Sequence, residues 1–279
     1  MMPLAKEPIV ESYAVFGHPI EHSLSPQIHQ SFAEQTGIHH PYCKIKVPHE
    51  DFESIVSDFF TLGGLGANIT TPFKERAYRL CDQHTEHAKC TGVVNTLKLL
   101  DNNQLLGDNT DGIGLLADLK RLNLLMPGDR ILLIGAGGAA QGVIPSLLKE
   151  ACELVITNRT LSRAQKLEEL FQDLGKIKIS EINTLEGSSF DLIINATTSG
   201  LFGEVPDLPA CLFFKNSRCY DMFYSAQASE TIFIDWIKQK GVMHYADGLG
   251  MLVAQAAYSF YLWHGVMPEI TPVLSYFAV

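Results

Sequence analysis

Two segments in the second half of the chain carry residues that could bind a phosphorylated ligand. The first, residues 131–140, runs from an apolar stretch into the glycine-rich Gly135-Ala-Gly-Gly-Ala139. A strand that turns through glycines into a helix directs backbone N–H groups toward an anion such as a pyrophosphate. Glycines alone are weak evidence, because any sharp strand-to-helix turn favours them. Ala140 replaces the third glycine of the G-x-G-x-x-G pattern, a replacement the pattern permits.

The second segment, residues 156–163, indicates which dinucleotide such a fold would select. An NAD-binding fold usually presents an Asp or Glu to the adenosine ribose at the end of its second strand. This chain has Asn158 and Arg159 there, and Arg163 follows one helical turn later. A carboxylate would repel a ribose 2′-phosphate, whereas guanidinium groups make charge-assisted hydrogen bonds to it. The two segments together predict NADP as the cofactor rather than NAD.

Four loops in the first half of the chain combine hydroxyl, amide and charged side chains. They are Ser23-Leu-Ser25-Pro, Asn68-Ile-Thr70-Thr-Pro-Phe-Lys74, Val94-Asn95-Thr and Asp108-Asn-Thr-Asp111. Each lies where a strand ends or a helix begins, which is where open α/β sheets place ligand contacts. Taken singly, a Ser-Pro pair is more often a helix cap and a lysine more often a solvated surface charge. Their clustering indicates one polar ligand rich in hydroxyl groups.

Lys74 and Asp111 are suited to proton transfer. When a hydride reaches a carbonyl carbon, the oxygen becomes alkoxide-like and must receive a proton, so an ammonium group within hydrogen-bond reach is a natural donor. A neighbouring carboxylate would orient the amine, favour its charged form and accept a hydrogen bond from a substrate hydroxyl. Because coupled groups titrate together, the sequence leaves open which of the two formally gives up the proton.

The elements that must position these residues alternate along the chain. In the first half, strands are predicted at residues 13–16, 42–47 and 65–70, with helices from about 26 and from about 49 to 60. A hairpin-like turn at 101–103 and an amphipathic helix at 113–122 follow. In the second half, further strands are predicted at 154–157, 192–195, 218–222 and 241–245. Alternation of this kind predicts parallel α/β sheets.

We therefore predict an α/β protein of two α/β domains. The N-terminal domain would hold a mainly parallel substrate-binding sheet, and the C-terminal domain would be a Rossmann NADP-binding domain. The turn at Pro127-Gly128 places the boundary between about 112 and 128, which gives domains of residues 1–115 and 116–248. Residues 249–279 leave no room for a third domain, so the final helices are predicted to pack back on the first domain and complete it.

Charge and hydropathy exclude some partners. The chain has 279 residues, 46% of them hydrophobic, and a formal net charge of −10, which disfavours nucleic acid and anionic membranes as partners. Two uncharged stretches imitate membrane spans. Residues 131–148 contain the glycines, Gln141 and Pro145, which fit a nucleotide-binding turn better than a membrane span. Residues 248–268 also argue against a span, because Gln255 lies at their centre and no Lys or Arg cluster flanks them. The second stretch is predicted to be a helix buried between domains.

The six cysteines include no C-x-x-C pair, and the chain opens without an apolar signal segment. We therefore expect reduced thiols and a cytoplasmic location. The spacing Cys81, His84, His87 and Cys90 raises a zinc hypothesis. On a helix, each step of three residues rotates the side chain by about −60°, so the two cysteines would point to opposite sides. No metal site is predicted.

A series of motifs runs in order through the chain. The first half contains Tyr13-Ala-Val-Phe-Gly-His-Pro-Ile, Gly92-Val-Val-Asn95-Thr, Gly107-Asp-Asn-Thr-Asp111-Gly and the loops at Ser23 and Asn68 described above. The second half contains Asn195-Ala-Thr-Thr-Ser-Gly200, Tyr220-Asp-Met-Phe-Tyr224 and Ala246-Asp-Gly-Leu-Gly-Met-Leu-Val-Ala-Gln255, besides the two nucleotide segments. Nearly end to end, these motifs resemble those of the shikimate dehydrogenase family, bacterial enzymes of aromatic biosynthesis.

The resemblance implies a reversible, NADPH-dependent reduction of 3-dehydroshikimate to shikimate, on the way to chorismate and aromatic amino acids. It implies that Lys74 and Asp111 are catalytic. The substrate-binding residues implied are Ser23, Ser25 and Tyr224 at the carboxylate and Asn68, Thr70, Lys74, Asn95, Asp111 and Gln255 elsewhere on the ring. The cofactor-binding residues implied are Gly135, Ala136, Gly137, Gly138, Ala139, Asn158, Arg159, Thr160, Arg163 and Thr197, with Met222 and Gly248 beside the nicotinamide. A homodimer is a family expectation.

Departures from the family pattern are small, and two alternatives stay open. His18, Ala140 and Tyr245 stand where the family usually has other residues, and none removes a catalytic group. A relative that oxidises quinate with NAD is one alternative, although Arg159 and Arg163 argue against ready use of NAD. A non-catalytic NADP-sensing module is the other, and its expected signature is loss of the proton-transfer pair, which this chain retains.

Overall fold

The first half of the chain folds around a six-stranded mixed sheet. The computed structural model describes residues 12–225 and 230–277. The strands are β1 (Tyr13–Gly17), β2 (Tyr42–Lys46), β3 (Gly66–Ile69), β4 (Gln83–His84), β5 (Thr96–Leu99) and β6 (Leu105–Asp108), in the spatial order β2-β1-β3-β5-β6-β4. β1 pairs in parallel with β2 and β3, and β4 with β6, whereas β5 is antiparallel to β3 and β6. The mainly parallel sheet and the β5–β6 hairpin are as predicted.

The helices of this half connect the strands. They are α1 (Ser25–Thr36), α2 (Phe52–Thr61), α3 (Lys74–Leu80) and α4 (Glu86–Thr91). α1 has a proline in its first turn and is followed by Gly37, whose φ of 68° favours glycine. α2 begins later than predicted, because the Asp51 amide donates to the Pro48 carbonyl at 3.2 Å and closes a turn before the helix.

Cys81 and Cys90 do not lie on one helix, so the single helix expected through them is wrong. Cys81 follows the end of α3, His84 lies in β4, and His87 and Cys90 lie in α4. Pairing of β4 with β6 interrupts the helical period, a long-range contact that the spacing does not reveal. Among the residues that the structure describes, no group of three or more His, Cys, Asp or Glu side chains could hold a metal ion.

The second half forms a six-stranded parallel sheet. Its strands are β7 (Arg130–Ile134), β8 (Glu153–Thr157), β9 (Lys176–Ile179), β10 (Leu192–Asn195), β11 (Arg218–Asp221) and β12 (His244–Ala246), in the order β12-β11-β10-β7-β8-β9. The helices α6 (Gly138–Lys149), α7 (Leu161–Phe171) and α8 (Ile232–Gln239) flank it. The strand order reverses between β7 and β10, which is the dinucleotide-binding crevice of a Rossmann fold.

Two helices join the sheets. α5 (Asp111–Arg121) packs against both α6 and α9 (Leu249–His264), and α9 packs against α1 and α10 (Ile270–Phe277). Apolar side chains of α9, among them Val253 and Phe260, share a buried cluster with Ile28 and Phe32 of α1. The final helices therefore pack back on the first sheet, and the uncharged α9 is buried, as predicted. None of the helices in the described ranges has both the length and the apolar character that a membrane span requires.

Candidate active site

A cleft of about 440 Å³ lies between the two sheets. The loops after β1 and β3, the start of α5, the loops after β10 and β11 and the first turns of α9 form its walls. All nine predicted substrate-binding residues line it, namely Ser23, Ser25, Asn68, Thr70, Lys74, Asn95, Asp111, Tyr224 and Gln255. Four of the predicted cofactor-binding residues line it as well, namely Ala139, Thr197, Met222 and Gly248.

Lys74 and Asp111 form a buried ion pair on the wall of this cleft. Lys74 Nζ lies 2.6 Å from Asp111 Oδ2, and the two side chains are 11% and 6% exposed. Lys74 is the first residue of α3 and Asp111 the first residue of α5. A helix N-terminus favours the carboxylate and disfavours the ammonium group, so the lysine gains little from its own helix. The Asp111 carboxylate supplies the negative charge that stabilises the ammonium group.

Asn95 holds the other oxygen of this carboxylate. Its Nδ2 donates to Asp111 Oδ1 at 3.0 Å and to Gln255 Oε1 at 3.1 Å, while its Oδ1 accepts from the Thr110 amide at 2.9 Å. The Asp111 amide in turn donates to Asn109 Oδ1 at 3.1 Å. Both oxygens of Asp111 are thus engaged by side chains, which fixes the carboxylate beside the ammonium group.

Asn68 is held by Tyr42 and Ser259, which the sequence reasoning missed, and by Thr96 of a loop that it had singled out. Its Nδ2 donates to Thr96 Oγ1 at 3.1 Å and to Ser259 Oγ at 3.0 Å, and its Oδ1 accepts from the Tyr42 hydroxyl at 2.8 Å. Burial raises the pKa of Tyr42 well above its usual value, so its hydroxyl stays a donor. Tyr42 sits in a strand and Ser259 in a helix, and no local pattern marks either one.

Three hydroxyl groups meet at one end of the cleft. Ser23 Oγ donates to Ser25 Oγ at 3.1 Å, and the Leu24 amide donates to the Tyr224 hydroxyl oxygen at 3.3 Å. Burial raises the pKa of Tyr224, so this hydroxyl is neutral and can also donate. Because Tyr224 follows β11 and the serines follow β1, this contact joins the two halves of the cleft. Such a group of donors could bind a carboxylate.

The turn after β7 has the geometry of an anion site. Gly135 has a φ of 112°, and a Cβ there would lie 3.0 Å from the Ala196 carbonyl oxygen, so glycine is required on both grounds. Gly137 caps α6 without a side-chain hydrogen bond, and a Cβ at Gly137 would meet nothing within 4 Å. Space at position 137 is therefore open, and the first amides of α6, which no side chain caps, can bind a pyrophosphate.

Arg159 and Arg163 lie beyond the cleft, between β8 and α7. Both side chains are exposed, and neither makes an ion pair within the described part of the chain. Asn158 Nδ2 donates to the Thr160 carbonyl at 2.8 Å and shapes the turn that presents the arginines. Gly135 to Gly138 and these four residues do not line the 440 Å³ cleft, so a ligand contacting all of them must be extended.

A buried carboxylate supports the nucleotide side of the cleft and was also missed. Asp221 is 1% exposed and accepts hydrogen bonds from Asn195 Nδ2 (3.0 Å), Thr231 Oγ1 (2.6 Å) and the Phe223 amide (3.2 Å). Burial raises the pKa of Asp221 to about 6. Asn195 also accepts from Thr197, so one carboxylate ties together the loops that carry Thr197 and Met222.

Comparisons with known protein families cover most of the chain. Residues 15–97 match the family model described as "Shikimate dehydrogenase substrate binding domain". Residues 119–202 match "Shikimate / quinate 5-dehydrogenase", and residues 248–275 match "Shikimate 5'-dehydrogenase C-terminal domain". A shikimate dehydrogenase from Thermus thermophilus, solved with NADP(H) and shikimate, is 32% identical, with 95% of this chain and 97% of that chain covered and a TM-score of 0.83. This chain belongs to the shikimate dehydrogenase family.

Other structures resemble this member of the shikimate dehydrogenase family in fold. The Ael1 enzyme from Pseudomonas putida is 39% identical, with 96% and 98% of the two chains covered and a TM-score of 0.85. A 5-ketofructose reductase of Gluconobacter is 25% identical, with 95% and 96% covered and a TM-score of 0.78. Since the fold also occurs in a reductase named for another substrate, the substrate must be argued from side chains in the cleft.

Proposed function

We propose that this protein is an NADP-dependent shikimate dehydrogenase, which interconverts 3-dehydroshikimate and shikimate in the biosynthesis of chorismate and aromatic amino acids. The observation that carries the proposal is the buried Lys74–Asp111 pair, with Nζ 2.6 Å from Oδ2, on the wall of a cleft shared by both sheets. The family relative solved with NADP(H) and shikimate supports the choice of both ligands.

The polar groups of the cleft match a hydroxylated ring acid. The hydroxyl cluster of Ser23, Ser25 and Tyr224 supplies donors for a carboxylate at one end. The amides of Asn68, Asn95 and Gln255, with the Thr70 hydroxyl, supply donors and acceptors for ring hydroxyls at the other. Because a ligand with several hydroxyl groups can hydrogen-bond to these donors and acceptors, this arrangement favours a polyhydroxylated substrate.

The ion pair performs the proton transfer. In the reducing direction, Lys74 Nζ donates a proton to the carbonyl oxygen as negative charge develops on it, and in the oxidising direction it takes that proton back. Asp111 holds the ammonium group in place and accepts a hydrogen bond from a neighbouring ring hydroxyl. Asn95 keeps the carboxylate oriented through its bond to Oδ1. General acid catalysis of this kind contributes about 10²- to 10⁴-fold to the rate.

The nucleotide side fits NADP. The uncapped start of α6 and the open position at Gly137 suit a pyrophosphate, and exposed Arg159 and Arg163 suit a 2′-phosphate. Thr197, Met222 and Gly248 line the cleft where a nicotinamide would meet the substrate. Bound NADPH would supply the hydride. Only glycine fits at position 248, since a Cβ there would lie 2.3 Å from the Met222 carbonyl oxygen.

We also propose the domain division, the compartment and the assembly. Residues 1–115 with 249–279 form the substrate domain, and residues 116–248 form the NADP domain. No disulfide joins any of the six cysteines, all of which lie in the described ranges, and this supports a reducing cytoplasm. A homodimer is proposed from the family, and light scattering of the purified protein would test it by mass.

The test of the function is an absorbance assay of NADPH oxidation with 3-dehydroshikimate. The reverse reaction is then measured with shikimate and quinate, each with NADP and NAD, and with 5-ketofructose as a further reduction substrate. We expect the highest kcat/KM for shikimate with NADP. A higher value for quinate with NAD would favour that relative instead. Binding of NADPH without turnover of any substrate would indicate a non-catalytic NADP-binding module.

A further inference from the structure

Helix α6 contacts the ion pair directly, although it belongs to the nucleotide-binding sheet. A Cβ at Gly142 would lie 3.0 Å from Asp111 Oδ2 and 3.1 Å from Asn109 Nδ2. One turn earlier, a Cβ at Gly138 would lie 3.4 Å from Lys74 Cβ. The distance at Gly142 is shorter than most real Cβ contacts, so any larger residue there must displace the carboxylate or the asparagine.

A glycine at position 142 has no backbone explanation. The residue lies in the interior of α6, and its φ is not among the positive values found in this chain. Glycine inside a helix destabilises it by about 0.5–1 kcal/mol relative to alanine. The dinucleotide fingerprint does not require it either, because its glycine positions fall at residues 135, 137 and 140. Only the close approach of α6 to Asp111 and Asn109 accounts for it.

The atoms that Gly142 approaches are the ones that set the geometry of the pair. Asp111 Oδ2 is the oxygen bonded to Lys74 Nζ. Asn109 accepts from the Asp111 amide through Oδ1 and donates from Nδ2 to the Val93 carbonyl at 3.2 Å, so it fixes the start of α5. A shift of either group would change the position of the ammonium group relative to a substrate oxygen, and small errors of position reduce rates strongly.

We propose that Gly142 is a positioning residue for the Lys74–Asp111 pair. This inference rests on the proposed function. By lacking a side chain, Gly142 lets α6 pack flush against Asp111 and hold its carboxylate on the Lys74 side. The helix whose first turn suits the pyrophosphate thus also forms the backing of the proton-transfer pair, so one rigid element sets the cofactor and the acid relative to each other.

The first test is Gly142→Ala, assayed with shikimate and NADP. We expect kcat to fall about 10-fold or more, with KM for NADP within about twofold of wild type. The melting temperature should change little, because the better helix propensity of alanine offsets much of the cost of displacing the buried side chains. Ser146→Ala is the matched control, since Ser146 lies one turn further along α6, where its Oγ would lie 2.3 Å from a Cβ at Gly112 of α5. Its kcat should match wild type.

The second test is a double-variant cycle with Asp111→Asn. If Gly142 acts through Asp111, then Gly142→Ala should lower kcat little further in the Asp111→Asn background. Wild-type kcat in a folded Gly142→Ala variant would overturn the inference, and so would equal losses in both backgrounds or a parallel loss of stability and NADPH binding. An inactive wild-type protein would instead remove the proposed function, which keeps the two failures distinct.

Discussion

On the substrate side of the cleft, polar side chains are buried and bonded to one another, whereas at the far end of the nucleotide side the charged groups are exposed and unpaired. Lys74 and Asp111 form an ion pair whose members are 11% and 6% exposed, and Asn95 and Asn68 are bonded to neighbouring side chains. Arg159 and Arg163 project into solvent without an ion pair in the described ranges.

This difference separates two tasks. When the polar groups of a site are already hydrogen-bonded to one another, they hold the catalytic groups in place, and little reorganisation is needed during the reaction. Exposed arginines gain interaction energy only when a phosphate binds, so under the proposed function Arg159 and Arg163 govern the affinity and the choice of cofactor. Substitutions of the Lys74–Asp111 pair should therefore act mainly on kcat, and substitutions at the arginines should act mainly on KM for the cofactor.

The largest effect expected is that of Lys74→Ala. Loss of the proton donor should lower kcat by about 10²- to 10⁴-fold, while KM for shikimate and for NADP changes only a few-fold. Steady-state kinetics in both directions measures this. Lys89→Ala removes an exposed lysine that pairs with Glu86 and should behave as wild type. Collapse of NADPH binding in the Lys74 variant would contradict the separation of tasks.

Asp221 offers a contrast with Asp111, because its carboxylate is buried with neutral donors only. Its pKa of about 6 lies above the ordinary value, so the folded state binds the proton more tightly than the unfolded state. The resulting cost to stability is fully present above pH about 6 and vanishes as pH falls below about 4. The substitution Asp221→Asn should therefore raise the free energy of unfolding relative to wild type. This gain should be larger at neutral pH than at pH about 4, by up to about 3 kcal/mol.

Urea unfolding of both proteins at the two pH values measures this difference. Asp101→Asn, in an exposed turn, is the control and should show no comparable change between the two pH values. A stability difference that is the same at both pH values would mean that the Asp221 carboxyl does not titrate in this interval.

The arginines test the other side of the comparison. In Arg159→Ala with Arg163→Ala, kcat/KM for NADP should fall about 10- to 100-fold, because charge-assisted bonds to the phosphate are lost. The efficiency with NAD should change by less than about threefold. Lys166→Ala removes one positive charge from an exposed position of α7, the helix that also carries Arg163, and serves as the control. Equal losses with NADP and NAD would show that the arginines do not read the phosphate.

The smallest effect is expected where the two sides meet. Tyr224→Phe removes one hydroxyl that accepts from the Leu24 amide at 3.3 Å. A single neutral hydrogen bond contributes about 0.5–1.5 kcal/mol, so KM for shikimate should rise roughly two- to tenfold. KM for NADP should change less than twofold. Tyr276→Phe, at an exposed tyrosine, is the matched control. A rise in KM for NADP alone would mean that Tyr224 contacts the cofactor rather than the substrate.

The features that were predictable from sequence are local ones. The strand, glycine turn and helix around Gly135 form within one segment, and the Asn158-Arg159 pair follows the next strand directly. Loops at strand ends must gather at one edge of a parallel sheet, so the predicted substrate residues could be expected in one cleft. The predicted roles of these residues remain predictions, since only their positions are given by the fold.

The features that were not predictable depend on contacts between distant segments. Ser259 reaches Asn68 from a helix that is 191 residues further along the chain, and Tyr42 reaches Asn68 from a neighbouring strand. The residues from Cys81 to Cys90 have the spacing of one helix, but β4 lies within this run and pairs with β6. Local spacing does not reveal that long-range pairing. The closeness of Gly142 to Asp111 depends on how α6 packs on α5.

The amino-acid sequence by itself determined the type of most elements, the glycine turn, the two arginines that follow β8, and the lysine and aspartate proposed for proton transfer, because backbone conformation and side-chain chemistry are local properties. Only the tertiary structure decided which atoms touch. It set Nζ of Lys74 2.6 Å from Asp111, fixed Asn68 against α9 and brought a helix of the second sheet against the carboxylate. Those distances arise from packing of elements far apart in the chain, which local patterns do not encode.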